Sequence, residues 1–583
     1  MTRRTGYAWA FAILLLIALV MPTGWYDMIP RLPDLPPLPI RGVDLLRFTI
    51  LFESLIFGLL AFGDWSFGRE SSALPGEYLV REFPGDVSAR TAFAALFAIT
   101  ILAIIARSIS LGADLWIDEI TPIVDYGPMS VAQVIGSYLR SNNHLLNTLL
   151  MKAAIGVFGE HEWSVRIPAM MFGVAAVPTL YWVARPWLSR VASLGAALLL
   201  AVSYHHIFFS QNARGYTGYL FFSLLSTGAL VRAIQRDEMR YWVLYIGAVV
   251  LGFASLITSG FVFAAQILVG VIEILLRRRR QIAAGPLVKR LAIVYAIAGF
   301  LAFQLYATSM PEAYVTITGL YSVHGTTYSA FSADFVRDAL RGLSAGFLGT
   351  VAALVFLIVG AVGFATLAAA AWPVAGTLGL TVALAGGLLA AKGLTFSPRF
   401  FLIGLPLAFL SVMSLAQAVV SFARRKQSIA NGTGRAVIAG VALCVAAVFV
   451  ASLPRYYRTP KQPYRAAIAY LERSLTPGDA VAVIYVAETG FRYYTPRHVR
   501  DTAAYHYVRT SAGLDSVFYE SPARRVFLAT TLSGITRQYI PDLAEKIAAC
   551  CEEVRVLPGT LGDGDITILQ RKPSAASSQV ETR

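Results

Sequence analysis

The chain has 583 residues, of which 56% are hydrophobic and only 14% charged, with a mean hydropathy of +0.61; soluble globular chains are about 25% charged, so a soluble fold is excluded. The formal charge of +15 does not indicate nucleic acid as a partner: no recognised binding module accompanies it, and membrane proteins gather Lys and Arg in cytoplasmic loops beside anionic headgroups. Three cysteines cannot build a disulfide framework.

Apolar runs long enough to cross about 30 Å of hydrocarbon number thirteen, with approximate limits 7–22, 45–62, 91–109, 166–184, 191–209, 215–231, 241–258, 260–276, 291–308, 346–370, 374–391, 399–421 and 436–452. The first follows Thr2-Arg3-Arg4, but Val20-Met21-Pro22-Thr23 is a poor cleavage site, so it reads as an uncleaved span. With the N-terminus inside, the cytoplasmic connections hold Arg185 to Arg190, Arg232 to Arg240, Arg277 to Arg280 with Lys289 and Arg290, and Arg424-Arg425-Lys426 with Arg435. The outward loops carry fewer cations, as the positive-inside rule requires. The four-arginine run then reads as a topological anchor, and everything after residue 452 falls outside.

The exceptions to that charge bias cluster on the outer side, where an ionisable group beside hydrocarbon survives mainly when it is paired or used. Asp118-Glu119 lies just beyond the third run. One carboxylate of such a pair can deprotonate a hydroxyl while the other holds a metal or orients the base; taken alone, the pair is also an ordinary solvated loop feature. Next comes Ser141-Asn142-Asn143-His144-Leu145-Leu146-Asn147, a stretch suited to the interface. His144 could ligate a metal, bond a phosphate or simply pack. Glu162 and Arg166, in Gly159-Glu160-His161-Glu162-Trp163-Ser164-Val165-Arg166-Ile167-Pro168, are spaced for a helical ion pair. Ser210-Gln211-Asn212-Ala213-Arg214-Gly215-Tyr216 opens the sixth run, and Lys392 with Ser397-Pro398-Arg399-Phe400 precedes the twelfth. Three arginines against the charge bias on one membrane face, Arg166, Arg214 and Arg399, point to a phosphate or pyrophosphate site.

Beyond residue 452 the composition turns polar. Strand-like runs (Ala480 to Val486, Arg525 to Ala529, Glu553 to Leu557, Ile566 to Gln570) alternate with helical stretches (Tyr464 to Leu475, Asp542 to Ala549), which predicts a small α/β domain. Asp563-Gly564-Asp565 matches the Asp-x-Asp pattern of nucleotide-sugar transferases, but its place between two strands reads as a hairpin turn. The neighbouring Cys550-Cys551 could form only a strained vicinal disulfide, so free thiols are expected. The Ser/Ala-rich tail from Lys572 has a disordered composition.

In this order the Asp-Glu pair, the Asn-His-x-Leu segment, Gly-x-x-Glu-x-x-x-Arg-x-Pro, Ser-Gln-x-Ala-Arg-x-Tyr and the late Pro-Arg-Phe resemble the GT-C glycosyltransferases, in particular the protein O-mannosyltransferase and lipid A aminoarabinose transferase group. Pro460-Lys461-Gln462-Pro463-Tyr464-Arg465-Ala466-Ala467 followed by Pro477-Gly478-Asp479 looks like the outer domain of many bacterial members. The resemblance implies a polytopic α-helical membrane protein of about thirteen spans and GT-C type, divided into extra N-terminal spans with a cytoplasmic loop (1–90), a catalytic core (91–452) and an extracytoplasmic α/β domain (453–583). It implies an inner-membrane enzyme that transfers a sugar with inversion from a polyprenyl-phosphate donor to a lipid, glycan or protein acceptor on the outer face. Asp118 matches the family's catalytic acidic residue, Glu119 its partner and Arg166 an arginine associated with the donor phosphate; Arg214, Arg399 and Lys392 join the phosphate set. His144, Glu162, Gln211 and Tyr216 are further site candidates. Glu119 and His144 are the candidate ligands of a divalent metal, the one cofactor considered. Leu145-Leu146 stand where family members often have prolines. No phosphate-cradling Gly-rich loop occurs in the chain, consistent with a lipid-carried rather than nucleotide-carried sugar. A polytopic transporter or lipid-linked-sugar flippase, and a non-catalytic polysaccharide assembly subunit, are the alternatives; the former lacks the paired broken helices of inverted repeats.

Overall fold

The structure, a computed structural model, describes residues 3–30, 40–62, 83, 85–137, 143–315, 332–391, 402–426, 430–499, 504–519, 525–560 and 564–572. Lys392, Arg399 and Asp563 lie outside the described residues. Two compact units divide the chain: Met1–Ile109, Pro128–Glu160 and Ser164–Leu453 form the first; Ser110–Gly127, His161–Trp163 and Pro454–Arg583 form the second.

The first unit is helical. Its elements in chain order are α1 (Arg3–Val20), α2 (Gly42–Phe62), α3 (Ala89–Ser108), then, beyond the segment with α4 (Ile117–Tyr126) of the second unit, α5 (Val131–Gly136), α6 (Leu145–Phe158), α7 (Glu162–Ala184), α8 (Arg190–Val202), α9 (Tyr204–Ser210), α10 (Tyr216–Arg236), α11 (Met239–Ser255), α12 (Ser259–Arg279), α13 (Gly285–Ala307), α14 (Ala333–Ser344), α15 (Thr350–Ala391), α16 (Gly404–Arg425) and α17 (Asn431–Arg458). Among the described residues nine helices are long and apolar enough to cross a membrane, or ten if the bent pair α8 and α9 is one span.

Among the described residues each of the thirteen apolar runs overlaps helix, but length alone does not return thirteen spans. The 191–209 run is bent by 57° between α8 and α9. The 346–370 and 374–391 runs join in α15, whose helical geometry breaks at Ala371, two residues before Pro373, as expected where proline cannot donate to the preceding turn. Helices α1 and α11 fall among the shorter apolar helices.

The helices share an aliphatic core that includes Leu180, Leu199, Leu200, Leu220, Leu410 and Met413. The first two apolar runs are the helices α1 and α2. The pair is tied to the core through α13, where Gln304 donates to the buried Glu53 at 2.7 Å and Phe52 lies 4.7 Å from Phe300. A carboxyl inside a span needs such a partner. In the four-arginine run Arg277 is buried, paired with Glu273 at 3.1 Å and donating to the Ile234 carbonyl, while Arg278 to Arg280 are exposed.

The second unit contains the α/β domain. A five-stranded sheet runs in the order β2-β1-β3-β5-β4, with β1 (Ala480–Ile484), β2 (Tyr505–Val508), β3 (Val526–Thr531), β4 (Cys551–Leu557) and β5 (Ile566–Arg571). β1 pairs in parallel with β2 and β3, and β5 runs antiparallel between β3 and β4. Helices α18 (Tyr464–Ser474), α19 (Ala487–His498), α20 (Ser511–Tyr519), α21 (Ser533–Tyr539) and α22 (Pro541–Cys550) complete it. The all-apolar β1, Ala-Val-Ala-Val-Ile, is buried along its whole length, as a central parallel strand must be. β4 and β5 pair antiparallel, and Asp565, just before β5, accepts from the Gly559 amide at 2.7 Å. Cys444, Cys550 and Cys551 are free.

Candidate functional site

In the first unit three candidates meet. His144 immediately precedes α6, and Arg214-Gly215-Tyr216 leads into α10. Arg214 donates through Nε to His144 Nε2 at 3.1 Å, its guanidinium lies 5.0 Å from the Tyr216 ring centroid, and the His144 and Tyr216 rings are 5.4 Å apart. All three are buried. Gly215 permits this approach, since a Cβ there would lie 1.9 Å from the Ser255 carbonyl oxygen and 3.1 Å from His144 Cβ. The arrangement fixes a buried guanidinium against an aromatic face.

Gln211 has a different task. Its Nε2 donates to the carbonyl of Arg107 at 2.8 Å and to that of Ile109, so it satisfies carbonyls left over at the C-terminal end of α3. Arg107, which sequence reasoning missed, is fully buried and donates to the Leu200 and Ala201 carbonyls, Ser210 and His206. It closes the last turn of α8 and fixes the approach to Gln211. The signal was available in Ile105-Ala106-Arg107-Ser108, a cation ending an apolar run. Arg166 is buried on α7.

In the second unit the acidic pair opens α4. Glu119 is fully buried and Asp118 half-buried. The Glu119 carboxylate accepts from the Trp116 amide at 3.3 Å, closing a free N–H at the helix start, and faces Lys461 Nζ at 3.6 Å. Ile117 N–H donates to Gln462 Oε1 at 2.8 Å, and Leu115 N–H to the Tyr494 hydroxyl at 2.8 Å. Asp114 receives the Arg465 amide at 2.8 Å and the Arg465 side chain. Glu162, spaced for a pair with Arg166, has Arg465 Nη1 at 3.7 Å and the Tyr494 hydroxyl at 3.4 Å as partners. Burial pushes the Tyr464 phenol well above its ordinary range, and the charges of Asp114 and Asp118 push it further. Burial works against the Arg465 charge, but attraction and hydrogen bonding to Asp114, with Glu162, hold its pKa above the usual value.

The Glu119 carboxylate is engaged by Lys461 and a backbone amide, and His144 Nε2 already accepts from Arg214. Among the described residues there is no group of three or more His, Cys, Asp or Glu that could hold a metal.

A family profile described as dolichyl-phosphate-mannose-protein mannosyltransferase matches residues 145–306. This stretch is well under half of the chain; it contains Glu162, Arg166, Gln211, Arg214 and Tyr216 and starts one residue after His144. No curated protein matches the sequence at a significant level. Among solved structures, the Archaeoglobus fulgidus oligosaccharyltransferase in its apo form is similar at 11% identity and a TM-score of 0.50, covering 80% of this chain and 73% of its own. ArnT from Cupriavidus metallidurans bound to undecaprenyl phosphate aligns at 13% identity and a TM-score of 0.48, covering 84% of this chain and 99% of its own. The fold is that of the GT-C membrane proteins.

Proposed function

We propose that this chain, a membrane glycosyltransferase of GT-C fold, transfers a sugar with inversion from a polyprenyl-phosphate donor to an extracytoplasmic lipid, glycan or protein acceptor. In this reading Asp118 takes the proton of the acceptor hydroxyl as that oxygen attacks the anomeric carbon. The bond from the anomeric carbon to the phosphate oxygen breaks, and the polyprenyl phosphate leaves with the bonding electrons. Half-buried and at the first turn of α4, Asp118 is accessible to an acceptor, whereas Glu119 is enclosed and engaged by Lys461. Arg166 and Arg214 neutralise the charge growing on the phosphate; fixed cations of this kind need no reorganisation as charge develops. Arg399 and Lys392 complete the phosphate set in this proposal.

The observation that carries the reading is Arg214. It is an arginine buried against His144 and Tyr216, inside the stretch matched by the mannosyltransferase family. The cation distribution in the loops supports an extracytoplasmic site and C-terminal domain, with the N-terminus on the cytoplasmic side of the inner membrane.

The purified chain, given a polyprenyl-phosphate-linked mannose and a panel of lipid, glycan and protein acceptors, is expected to transfer the sugar and release polyprenyl phosphate. Release without a glycosylated product, or no release with any acceptor, would argue against the proposal. Reporter fusions after residue 452 test the orientation: cytoplasmic activity there would invert the membrane and remove the outer-face site.

A further inference from the structure

The Pro460-to-Ala467 motif has no part in the chemistry above, yet the second unit joins it to the segment bearing the acidic pair. Lys461 and Gln462 are themselves buried, at 4% and 0% exposure. Lys461 faces the Glu119 carboxylate, and Gln462 accepts both the Ile117 N–H and the Tyr464 hydroxyl through Oε1 while its Nε2 donates to Thr531 on β3 at 3.1 Å. Arg465 adds its bonds to Asp114 and to the Gly112 carbonyl.

The consequence lies in the order of residues along α4. Ile117 and Glu119 bracket Asp118, and each is held by a different member of the motif. The first amides of a helix have no intrahelical partner, so Gln462 supplies one from a side chain that is itself anchored to the sheet through Thr531. A buried lysine–carboxylate pair is a weak source of net stability, because desolvation offsets much of the attraction, but it is costly to break on one side only. Such a pair fixes geometry better than it adds stability.

We infer that Lys461 and Gln462 are positioning residues for the transfer reaction. They touch neither substrate nor reacting atoms and act by fixing the first turn of α4, and with it the direction of the Asp118 carboxylate. This inference rests on the reading of Asp118 as the base.

Misplacement of a reacting group by about 1 Å can cost roughly 100-fold in rate, which sets the expected loss in kcat for Lys461→Met and for Gln462→Leu in the full-length enzyme assayed with the lipid-linked mannose donor. The donor KM stays within about threefold, since the phosphate set is untouched, and Lys461→Arg restores most of the activity by returning the charge. Combined with Glu119→Gln, Lys461→Met causes no further loss beyond the worse single variant, because both remove one interaction. Hydrogen exchange gives a readout independent of catalysis: backbone amides of residues 112–121 exchange faster in Gln462→Leu than in wild type. Full kcat in both single variants of an active enzyme would overturn the inference. So would equal changes in kcat and KM that track lost thermal stability, additive loss in the double variant, or unchanged exchange over residues 112–121. If wild-type protein transfers no sugar from the lipid donor, the functional reading falls by itself, and the exchange measurement alone decides whether the motif fixes α4.

Discussion

Replacing Asp118 by Asn separates catalysis from structure more cleanly than any other single change. The two side chains have nearly the same shape, and Asp118 is half-buried at the first turn of α4. One structural contribution is the attraction between a carboxylate and the helix N-terminus, about 0.3–1 kcal/mol. Removal of a general base costs roughly 100- to 10,000-fold in rate, which at about 1.36 kcal/mol per tenfold is about 2.7–5.4 kcal/mol of activation free energy. The chemical effect thus exceeds that attraction severalfold. Asp118→Asn is expected to insert and fold as wild type, to keep donor affinity, and to lose kcat by that factor. The assay is initial-rate sugar transfer at saturating donor, with gel filtration of the purified protein as the control for folding. A stably folded Asp118→Asn enzyme that transfers sugar at near wild-type rate would refute the assignment of the base.

Arg214→Ala removes a buried charge-assisted donor; hydrogen bonds to charged groups contribute about 1.5–3 kcal/mol, so donor affinity should fall roughly 10- to 150-fold in a donor titration, with a smaller change for Tyr216→Phe. Gly490→Ala forces a Cβ to within 2.0 Å of the buried Tyr464 ring; overpacking of this kind costs about 1–3 kcal/mol, and the variant should lower the thermal midpoint and increase exchange in α18. Glu488 is opposed by burial, but Arg509 and Arg492, each at 2.6 Å, hold its carboxyl below the ordinary glutamate range. The stability it contributes is therefore fully present above the unfolded-state value of about 4.3 and is lost as pH falls through the lower folded value. Glu488→Gln should reduce the thermal midpoint at neutral pH, by about 0.5–1 kcal/mol of stability because both arginines are solvent-screened, and flatten its acid dependence; an unchanged pH profile would show that the ion pairs contribute nothing.

The helical core was legible because apolar runs are long and the bilayer demands them, and each of the thirteen runs overlaps helix among the described residues. Their ends were less legible: the break at Ala371 and the bend between α8 and α9 depend on local backbone geometry that hydropathy does not encode. In the α/β domain, β2 escaped notice because Tyr505-His506-Tyr507-Val508 is short and carries a polar residue in its middle, whereas β1 is an unbroken apolar run. His144, Arg214 and Tyr216 were legible as residue types and spacing, but their mutual contact required Gly215 and the close approach of Ser255. Glu162 shows the limit of local rules. Its spacing from Arg166 suggested a pair four residues apart, while its carboxylate faces Arg465, more than three hundred positions away in the chain, a choice made by tertiary packing.

The bonds from Gln462 to Ile117 and from Arg465 to Asp114 span 345 and 351 residues, which gives them a meaning in time as well as in space. During synthesis the loop with Asp118 leaves the ribosome long before the residues that fix it exist, and contacts of such sequence separation form late because a long loop must first be closed. A chain whose translation stops before Lys461 contains the acidic pair and the buried arginines but not Lys461, Gln462, Arg465 or Tyr494, which bond the segment from Asp114 to Glu119. Completion of the last domain is therefore also the step that brings these partners to the acidic segment.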